Sequence, residues 1–502
     1  MTNHLYDALM NGHRESEEPL LRTVEKEPRT FTWNQMHRMA GRMARALQRL
    51  GARPGDRITV QVKKSPETLA LYLACLRGGF VFQPLNPAYT TAELEHFITD
   101  AEPAVVICDP DRKADLEPLA ARIGARLSTL RGDWKGSFFM LQMVQPETFE
   151  TVARGPDDPA AILYTSGTTG RPKGAVLTHG NLLSNARDLV SVWGFTGRDV
   201  LIHALPVYHA HGLFVACNVT MLAGASMIWL EKFDTDAVVK AMPEASVLMG
   251  VPTFYARLLE HRGLKRAAAG MRLFISGSAP LSPALHTRFR ERTGHTILER
   301  YGLTETGMNA SNPLDGERRP GSVGPALPST EIRITDRDGG AVLPTGETGM
   351  IEVRGPNVFS GYWRREKETE EAFRQDGWFI TGDLGHLDAD GYLHISGRAR
   401  DLIITGGLNV YPAEVEAAVD GIPGVTESAV IGLPDPEWGE IVCAVVAPQP
   451  GSRLKEDVIL SALRDRLARF KLPRRIVFVE ALPRNAMGKV MKDDLRRRFD
   501  NG

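Results

Sequence analysis

The segment Tyr164 to Gly174, YTSGTTGRPKG, gathers hydroxyl groups, glycines and one lysine directly after a short apolar run. Glycines let a backbone approach an anion closely and turn its N–H groups toward it. The hydroxyls and the lysine add further donors and a positive charge. These donors belong to Thr165, Ser166, Gly167, Thr168, Thr169 and Lys173. The segment therefore predicts a loop that binds phosphates, with a nucleoside triphosphate as the expected ligand.

This loop differs from the Walker P-loop, because Gly170 is followed by Arg-Pro-Lys-Gly and GxxxxGK[ST] finds no match in it. The chemistry is therefore expected to differ from that of P-loop proteins. Taken alone, a Gly/Ser/Thr run is more often a solvated linker. Other polar clusters along the chain must decide between the two interpretations.

Composition limits the classes of function. A chain of 502 residues is too long for one compact core, so we expect roughly two to four domains or subdomains. Lys and Arg total 60 against 61 Asp and Glu, which predicts no overall attraction to nucleic acid or to an anionic membrane. The cysteines are widely separated and lack metal-ligand spacing, which favours buried reduced thiols in a cytoplasmic protein. They are Cys75, Cys108, Cys217 and Cys443.

The N-terminal residues lack the basic region and apolar core of a signal peptide and the Arg/Ser-rich character of a transit peptide. A cytoplasmic location is therefore expected, with a mitochondrial origin left open. The most apolar long run, Leu213 to Leu230, is interrupted by Asn218, Thr220 and Gly224. It predicts a buried helix leading into a strand rather than a membrane span.

Helix and strand signals alternate through the first part of the chain. Thr32 can cap a helix that Gly51 ends, and Ser65-Pro66 can start another that Gly78-Gly79 ends. Strand-like segments are expected at 57–62, 81–82, 105–108, 200–204, 226–230, 246–249 and 272–275, and a helix at 92–98. The weakly patterned stretch 127–150 is interpreted as a surface connection. The alternation predicts parallel α/β layers.

The pattern changes after residue 321. Short alternating segments rich in turns predict an antiparallel β subdomain up to about residue 394. A final unit then shows a helix at 412–419, strands at 428–431 and 442–446, a helix at 458–470, a strand at 476–479 and a helix at 491–499. The predicted fold class is α/β: layered α/β subdomains and a β subdomain, followed by a small α+β domain.

Three further clusters carry polar groups suited to a nucleotide. The sequence YGLTET, Tyr301 to Thr306, offers an aromatic face, hydroxyls and a carboxylate near the turn at 277–280. Asp383 in Thr-Gly-Asp can accept two ribose hydroxyls, and Lys489 lies in a loop near the end of the chain. Each alone is more often a surface turn, a capped helix or a solvated charge.

Together the motifs resemble one family. The set YTSGTTGRPKG, PVYHAHG (206–212), YGLTET, TGD (381–383), GRARD (397–401) and PRNAMGK (483–489) is similar to the adenylate-forming superfamily of acyl-CoA synthetases, luciferases and peptide-synthetase adenylation domains. The motifs occur in the family's order and span essentially the whole chain. The resemblance implies a large domain at 1–398 and a small mobile domain at 399–502. It also implies that a carboxylate attacks ATP to give acyl-AMP, which CoA then attacks.

The resemblance assigns roles by motif position. It implies that the glycine loop holds the β- and γ-phosphates, that Thr304 lies near the α-phosphate, and that Glu305 with Thr165 binds Mg²⁺. Tyr301 would stack on adenine, while Asp383 and Arg398 would bind the ribose. The implied ATP- and CoA-binding set is Thr165, Ser166, Gly167, Thr168, Thr169, Lys173, Ser278, Ala279, Glu299, Tyr301, Asp383, Arg398, Gly406 and Gly407. The implied catalytic set is Lys489, Glu305, Thr304 and His209.

Lys489 is implied to bridge the carboxylate and α-phosphate oxygens, and acylation of this lysine by an acyltransferase is a hypothesis about regulation. Because Lys489 belongs to the second domain, that domain must close on the nucleotide and then rotate to admit CoA. The pivot of the family falls at Arg400, where aspartate or lysine is common. Gly406 and Gly407 would line the channel for the pantetheine arm.

The type of acid substrate is indicated by cationic side chains near the motifs. Arg257 in GVPTFYARLLE, Arg300 in ERYGLTET, and His209 and His211 suit a second carboxylate on the substrate. The sequence around these residues resembles that of malonyl-CoA synthetases, in which two arginines bind the distal carboxylate. Gly307 replaces a larger residue of several such enzymes, which favours methylmalonate as a second substrate. The alternatives are a ligase for another short or medium acid, an adenylation enzyme loading a carrier protein, and a non-enzymatic AMP sensor.

Overall fold

The computed structural model describes residues 2–10, 12–24, 27–165, 172–336, 340–406, 408–452, 454–464, 466–485 and 488–500. The α-helices are α1 His4–Met10, α2 Trp33–Arg49, α3 Pro66–Gly78, α4 Thr91–Ala101, α5 Lys113–Arg122, α6 Ser137–Met143, α7 His179–Val192, α8 Asn218–Leu222, α9 Thr235–Ala241, α10 Pro252–Leu259, α11 Leu264–Ala267, α12 Pro283–Thr293, α13 Glu366–Ala372, α14 Pro412–Asp420, α15 Glu456–Arg464 and α16 Lys492–Phe499.

The β-strands form four sheets. They are β1 Pro19–Thr23, β2 Thr30–Thr32, β3 Arg57–Gln61, β4 Val81–Pro84, β5 Val105–Cys108, β6 Arg126–Thr129, β7 Pro159–Thr165, β8 Lys173–Thr178, β9 Val200–His203, β10 Ser226–Trp229, β11 Val247–Gly250, β12 Leu273–Ser276, β13 Leu298–Leu303, β14 Gly307–Ser311, β15 Glu331–Thr335, β16 Gly349–Arg354, β17 Gly361–Tyr362, β18 Phe379–Leu387, β19 Leu393–Arg398, β20 Ile403–Thr405, β21 Leu408–Val410, β22 Val425–Asp435, β23 Gly439–Pro448 and β24 Arg475–Phe478.

Two sheets with parallel centres build the first part of the chain. Their strand orders are β17-β8-β7-β4-β3-β5-β6 and β14-β13-β12-β11-β9-β10-β1-β2. One apolar core contains buried residues of both sheets and residues 69–76 of α3, and every residue of α3 is buried. The α/β layers expected from the alternating pattern are therefore confirmed.

Capping residues close in sequence start and end the first helices as predicted. Thr32 forms a capping box with Gln35 at the start of α2, and the Ser65 side chain accepts a hydrogen bond from Thr68 N–H at the start of α3. Gly79 follows α3 with φ 68°, a left-handed conformation that glycine adopts without strain. These helix ends are set by contacts within a few residues of sequence.

The β subdomain is an antiparallel sheet of order β15-β16-β18-β19, as predicted. The last sheet has the order β21-β20-β23-β22 with β24 beside β23, and helices α14, α15 and α16 belong to the same small α+β unit. The interpretation of 127–150 as a plain connection was wrong, because β6 extends the first sheet and α6 follows it. The hairpin β20–β21 was also missed.

The apolar run 213–230 begins as a π-helix, His211–Cys217, continues as α8 and ends in β10. This agrees with a buried helix leading into a strand. Among the described residues, no helix has the length and apolar character needed to cross a bilayer. All four cysteines are buried and free, as expected.

Candidate active site

The predicted phosphate loop connects two antiparallel strands of the first sheet. β7 ends at Thr165 and β8 begins at Lys173, and these two residues are paired across the strands. Lys173 Nζ lies 5.1 Å from the centre of the Tyr362 ring. The predicted phosphate-binding residues between the strands lie outside the described residues, namely Ser166, Gly167, Thr168 and Thr169. The pairing places a hydroxyl and an ammonium group on the same face at the ends of the loop.

Glu305, predicted to bind Mg²⁺, lies within reach of this loop. Its Oε1 atom accepts hydrogen bonds from the Thr165 hydroxyl at 3.3 Å and from the Tyr362 hydroxyl at 3.1 Å. Among the described residues, no group of three or more His, Cys, Asp or Glu side chains could hold a metal ion by itself. Mg²⁺ commonly binds through one or two carboxylates and completes its shell with phosphate oxygens and water. One carboxylate beside a hydroxyl therefore fits the ion when a nucleotide supplies the remaining ligands.

The predicted ribose-binding pair lies on adjacent antiparallel strands, β18 and β19, where Asp383 is opposite Arg398. Arg398 Nε donates to Asp383 Oδ1 at 2.8 Å, and the Tyr301 hydroxyl donates to Asp383 Oδ2 at 2.5 Å. Tyr301 comes from β13 of the second large sheet. The structure thus brings the predicted adenine- and ribose-binding side chains into one hydrogen-bonded unit across two sheets.

The turn after β12 contains Ser278 and Ala279, both predicted to contact the nucleotide. Ser278 has φ 70°, a left-handed conformation that costs energy for a residue with a side chain. Its hydroxyl lies 3.1 Å from His211 Nδ1. At the other end of the turn, Glu299 Oε1 accepts a hydrogen bond from Leu281 N–H at 2.9 Å. Glu299 therefore supports the turn, and its own contact with a nucleotide stays a prediction.

Burial raises the pKa of Glu299 from 4.5 to about 8, against the lowering effects of the Leu281 N–H and the Arg300 charge. Between these pH values the folded protein keeps a proton that the unfolded chain has released, so stability falls as the pH rises. We expect Glu299→Gln to remove the part of this pH dependence of stability that comes from Glu299. Chemical denaturation at pH 5 and pH 8 should show a smaller loss of stability in the variant, by about 1 kcal/mol or more. Parallel losses in both proteins would contradict the prediction.

Arg300 is the most unusual charge in the site. It is 4% exposed, and its Nε and Nη2 atoms are buried without a hydrogen-bond partner among the described residues. The guanidinium group lies directly over Gly277, where any Cβ atom would collide with it. Burial lowers the pKa of Arg300 to about 9, although Tyr255 and Glu299 act in the opposite direction. A buried guanidinium with two nitrogen donors unpaired among the described residues is suited to an anionic ligand.

The two predicted histidines lie beside this arginine. His211 is buried and His209 is half-buried, and His209 Nδ1 accepts a weak hydrogen bond from the His211 backbone N–H at 3.4 Å. Burial and then the charge of Arg300 lower the pKa of His209 to about 4 and that of His211 well below 6.5. Both rings are therefore neutral near pH 7. They can donate hydrogen bonds without adding to the charge of Arg300.

Arg257 lies in α10, which follows β11. The side chain is exposed and forms no ion pair or hydrogen bond with any residue that the structure describes. Gly250 at the end of β11 is opposite Ser276 of β12, and Ser276 is opposite Glu299 of β13. Helix α10, which carries Arg257, therefore begins at the end of the sheet where Arg300 lies. The structure places both residues at this end of the sheet without a direct contact between their side chains.

Lys489 reaches the site from the last domain. A Cβ atom placed on Gly488 would lie 3.2 Å from Thr253 Oγ1, so the loop touches the first turn of α10. The Lys489 side chain remains exposed. Nevertheless, desolvation by the surrounding protein and the charge of Arg398 lower the pKa of Lys489, while Asp383 acts in the opposite direction. The structure therefore brings Lys489 close to the predicted ribose-binding pair, in a closed arrangement of the two parts of the chain.

The predicted hinge and channel residues lie around the last domain's first hairpin. Arg400 is in a 3₁₀ turn and lies 4.0 Å from Asp493 in an exposed ion pair. Gly406 has φ 55°, and a Cβ atom there would lie 2.9 Å from the Trp438 ring. Gly407 lies outside the described residues. The roles of Arg400 and Gly406 stay predictions.

Sequence reasoning missed two side chains of the site. Tyr362 binds Glu305, and Asn185 donates to the Met308 carbonyl at 2.8 Å and accepts from Met308 N–H at 3.0 Å. The motif GPNVFSGYW could have drawn attention to Tyr362. Gly307 has φ 59°, and a Cβ atom there would lie 2.5 Å from Asn185 Oδ1. Glycine is therefore required at this position by its backbone and by Asn185.

A model of the AMP-binding enzyme family matches residues 11–363, and a model of the AMP-binding enzyme C-terminal domain matches residues 414–489. The chain is an AMP-binding enzyme. The predicted superfamily and its mixed α/β fold are confirmed by these matches and by a similar solved structure. That crystal structure, of ATP-bound MatB from Rhodopseudomonas palustris, has 52% sequence identity, a TM-score of 0.97, and covers 100% of this chain and 99% of its own.

Two similar curated proteins are named for different acids. Malonate–CoA ligase ACSF3, mitochondrial, of Mus musculus is 38% identical in an alignment of 470 residues that covers 86% of this chain and 79% of that protein. Feruloyl-CoA synthase of Amycolatopsis sp is 38% identical in an alignment of 474 residues that covers 93% of this chain and 94% of that protein. These relatives support the activity of an AMP-forming acyl-CoA ligase that uses ATP and CoA. Because they are named for different acids, these relatives do not identify the acid that this chain uses.

Proposed function

We propose that this enzyme joins malonate to CoA through malonyl-AMP, releasing AMP and pyrophosphate, with methylmalonate as a second substrate. The observation that carries this proposal is the buried Arg300 guanidinium, whose Nε and Nη2 have no hydrogen-bond partner among the described residues. A buried charge without a partner is costly. The distal carboxylate of malonate would supply both the opposite charge and two acceptor oxygens.

The surroundings of Arg300 support a small diacid. Neutral His209 and His211 offer hydrogen-bond donors, and α10, which carries the exposed Arg257, begins at the same end of the sheet. The absence of a side chain at Gly307 does not create space for the methyl group of methylmalonate, because a side chain there would point at Asn185. Methylmalonate therefore has to be tested directly.

In the first step, an oxygen of the reacting carboxylate attacks the α-phosphorus of ATP, and pyrophosphate leaves. Both reactants are anions, so the approach is opposed by charge repulsion. Lys489 is positioned to offset that repulsion, and Thr304 to donate to an α-phosphate oxygen. Bound Mg²⁺, held on the protein side by Glu305 with Thr165, would neutralise phosphate charge. Tyr301, Asp383 and Arg398 would hold the nucleoside in place.

In the second step, the sulfur of CoA attacks the acyl carbonyl carbon, AMP leaves as the C–O bond breaks, and the thiol proton passes to solvent. Lys489 occupies the cleft in the closed arrangement, so the domain we place at 399–502 must turn away from the domain at 1–398. We assign the pivot to Arg400, whose exposed ion pair with Asp493 is weak enough to break. Gly406 would then line the path of the pantetheine arm.

The test is AMP release by the purified protein with ATP, Mg²⁺ and malonate, methylmalonate, acetate, octanoate, benzoate or ferulate, each with and without CoA. CoA-dependent turnover with malonate well above acetate is expected, because only a diacid pairs with Arg300. Preference for octanoate, benzoate or ferulate would reject malonate and retain an acyl-CoA ligase. AMP release that is indifferent to CoA would indicate another acyl acceptor, such as a carrier protein.

A further inference from the structure

A buried polar group lies beneath the loop that carries His209 and His211. Lys64 is only 9% exposed, and its Nζ atom lies 2.8 Å from both Nδ1 and the carbonyl oxygen of His203. The same atom lies 4.4 Å from the centre of the Trp229 ring. Lys64 forms no ion pair with any carboxylate of the described residues. Its amine is therefore held by His203 and Trp229 without an opposite charge.

The second nitrogen of His203 fixes the direction of these hydrogen bonds. His203 Nε2 lies 2.8 Å from the carbonyl oxygen of Gly212, and a carbonyl oxygen can only accept. Nε2 must therefore carry a proton. Burial and the charge of Lys64 lower the pKa of His203 well below 6.5, so the ring is neutral and Nδ1 is an acceptor. Lys64 donates to Nδ1 and thereby holds the ring in the orientation that donates to Gly212.

Gly212 belongs to the backbone that positions the histidines. It follows His211 in the π-helix, and the Cys217 thiol also lies 3.2 Å from its carbonyl oxygen. On its other side, a Cβ atom at Gly212 would collide with the Pro206 carbonyl oxygen. The backbone next to His211 is thus held between Pro206 on one side and the donors His203 and Cys217 on the other.

We propose that Lys64 is a positioning residue for the acid-binding site. It acts through His203 and Gly212, which together hold the loop of His209 and His211 beside Arg300. Without the lysine, Nδ1 and the carbonyl oxygen of His203 are buried without their donor. The ring can then turn away from Gly212, and the loop loses the contact that holds it. The identity of the acid rests on the proposed function, whereas the contacts from Lys64 to Gly212 do not.

The test compares Lys64→Met with Lys63→Met, which changes the exposed neighbouring lysine. In Lys64→Met, the KM for the acid should rise about tenfold, the effect of one unsatisfied buried hydrogen bond. The KM for ATP should stay within about twofold of the wild-type value, because the lysine does not touch the nucleotide site. In ¹⁵N NMR spectra of histidine-labelled protein, the Nδ1 resonance of His203 should shift to that of an acceptor without a hydrogen-bond donor. A folded Lys64→Met enzyme with an unchanged acid KM, or with acid and ATP KM values raised equally, would overturn the proposal.

A second pair of variants keeps the test decisive if Lys64→Met does not fold. Cys217→Ser retains a donor to Gly212 and should keep the acid KM, whereas Cys217→Ala should raise it. Equal values for the two would reject the role of Gly212. The wild-type enzyme is assayed first with the whole acid panel, and each variant is then compared on the acid that the wild type prefers. A wild type that rejects malonate refutes the proposed function, while the variant ratios judge Lys64 separately.

Discussion

Replacing Lys489 with alanine is expected to slow acyl-adenylate formation by about 10²–10³-fold, the usual effect of removing one group that stabilises developing charge. The loop of Lys489 rests on the first turn of α10, and Asp383 and Arg398 influence its pKa. No other lysine of the last domain is placed by the described contacts against this pair. The measurement is ATP–pyrophosphate exchange with malonate, which reports the first step alone.

The matched control is Lys492→Met, which removes a nearby lysine that pairs with Glu416 at 2.6 Å. This variant should exchange pyrophosphate at a rate close to wild type. CoA-dependent consumption of added malonyl-AMP should survive in Lys489→Ala, because the lysine is assigned to the first step only. Equal losses in both half-reactions would show that Lys489 supports the fold or the second step instead.

Replacing Arg300 with methionine is expected to lower kcat/KM for malonate about a hundredfold or more, since breaking a buried charge pair commonly costs 2–5 kcal/mol. The same change should leave or raise the activity with propionate, which has no distal carboxylate. It should also not lower the thermal stability of the free enzyme, because an unpaired buried cation is replaced by an apolar side chain. Parallel loss with malonate and propionate would mean that Arg300 has a structural role.

Arg257→Ala completes this test at the exposed side of the clamp. It should raise the KM for malonate far more than the KM for ATP, whereas Arg262→Ala, a nearby exposed arginine, should change neither. The expected effect is smaller than for Arg300, because exposed charges are screened by water and salt. Equal changes of both KM values in Arg257→Ala would reject its part in the clamp.

Local rules explain the parts of the fold that were predicted correctly. The cap of α2 at Thr32, the start of α3 at Ser65 and its end at Gly79 depend on bonds between neighbours in the sequence. The strand before the turn at 277–280 was also predicted, at 272–275, and the structure has it as β12. The stretch 127–150 failed because β6 is an edge strand with a mixed burial pattern, which weakens its periodic signal.

The site itself was predicted as a set of motifs, without the contacts that join them. The pairing of Tyr301 with Asp383 joins residues of two sheets, and the bonds from Thr165 and Tyr362 to Glu305 join three separate segments. Such pairs are distant in sequence and leave no periodic pattern. The resemblance placed the residues in one site, and the structure supplied their hydrogen bonds.

By itself, the sequence determined the family and the α/β class and predicted the nucleotide-site residues, because these depend on motif order, turn chemistry and hydrophobic periodicity. Only the tertiary structure decided that Arg300 is buried with N–H groups unpaired among the described residues, that Gly307 is required by Asn185, and that Lys64 reaches Gly212 through His203. Burial and hydrogen-bond partners depend on the packing of strands that are far apart in the chain. No local pattern specifies which polar side chains that packing removes from water.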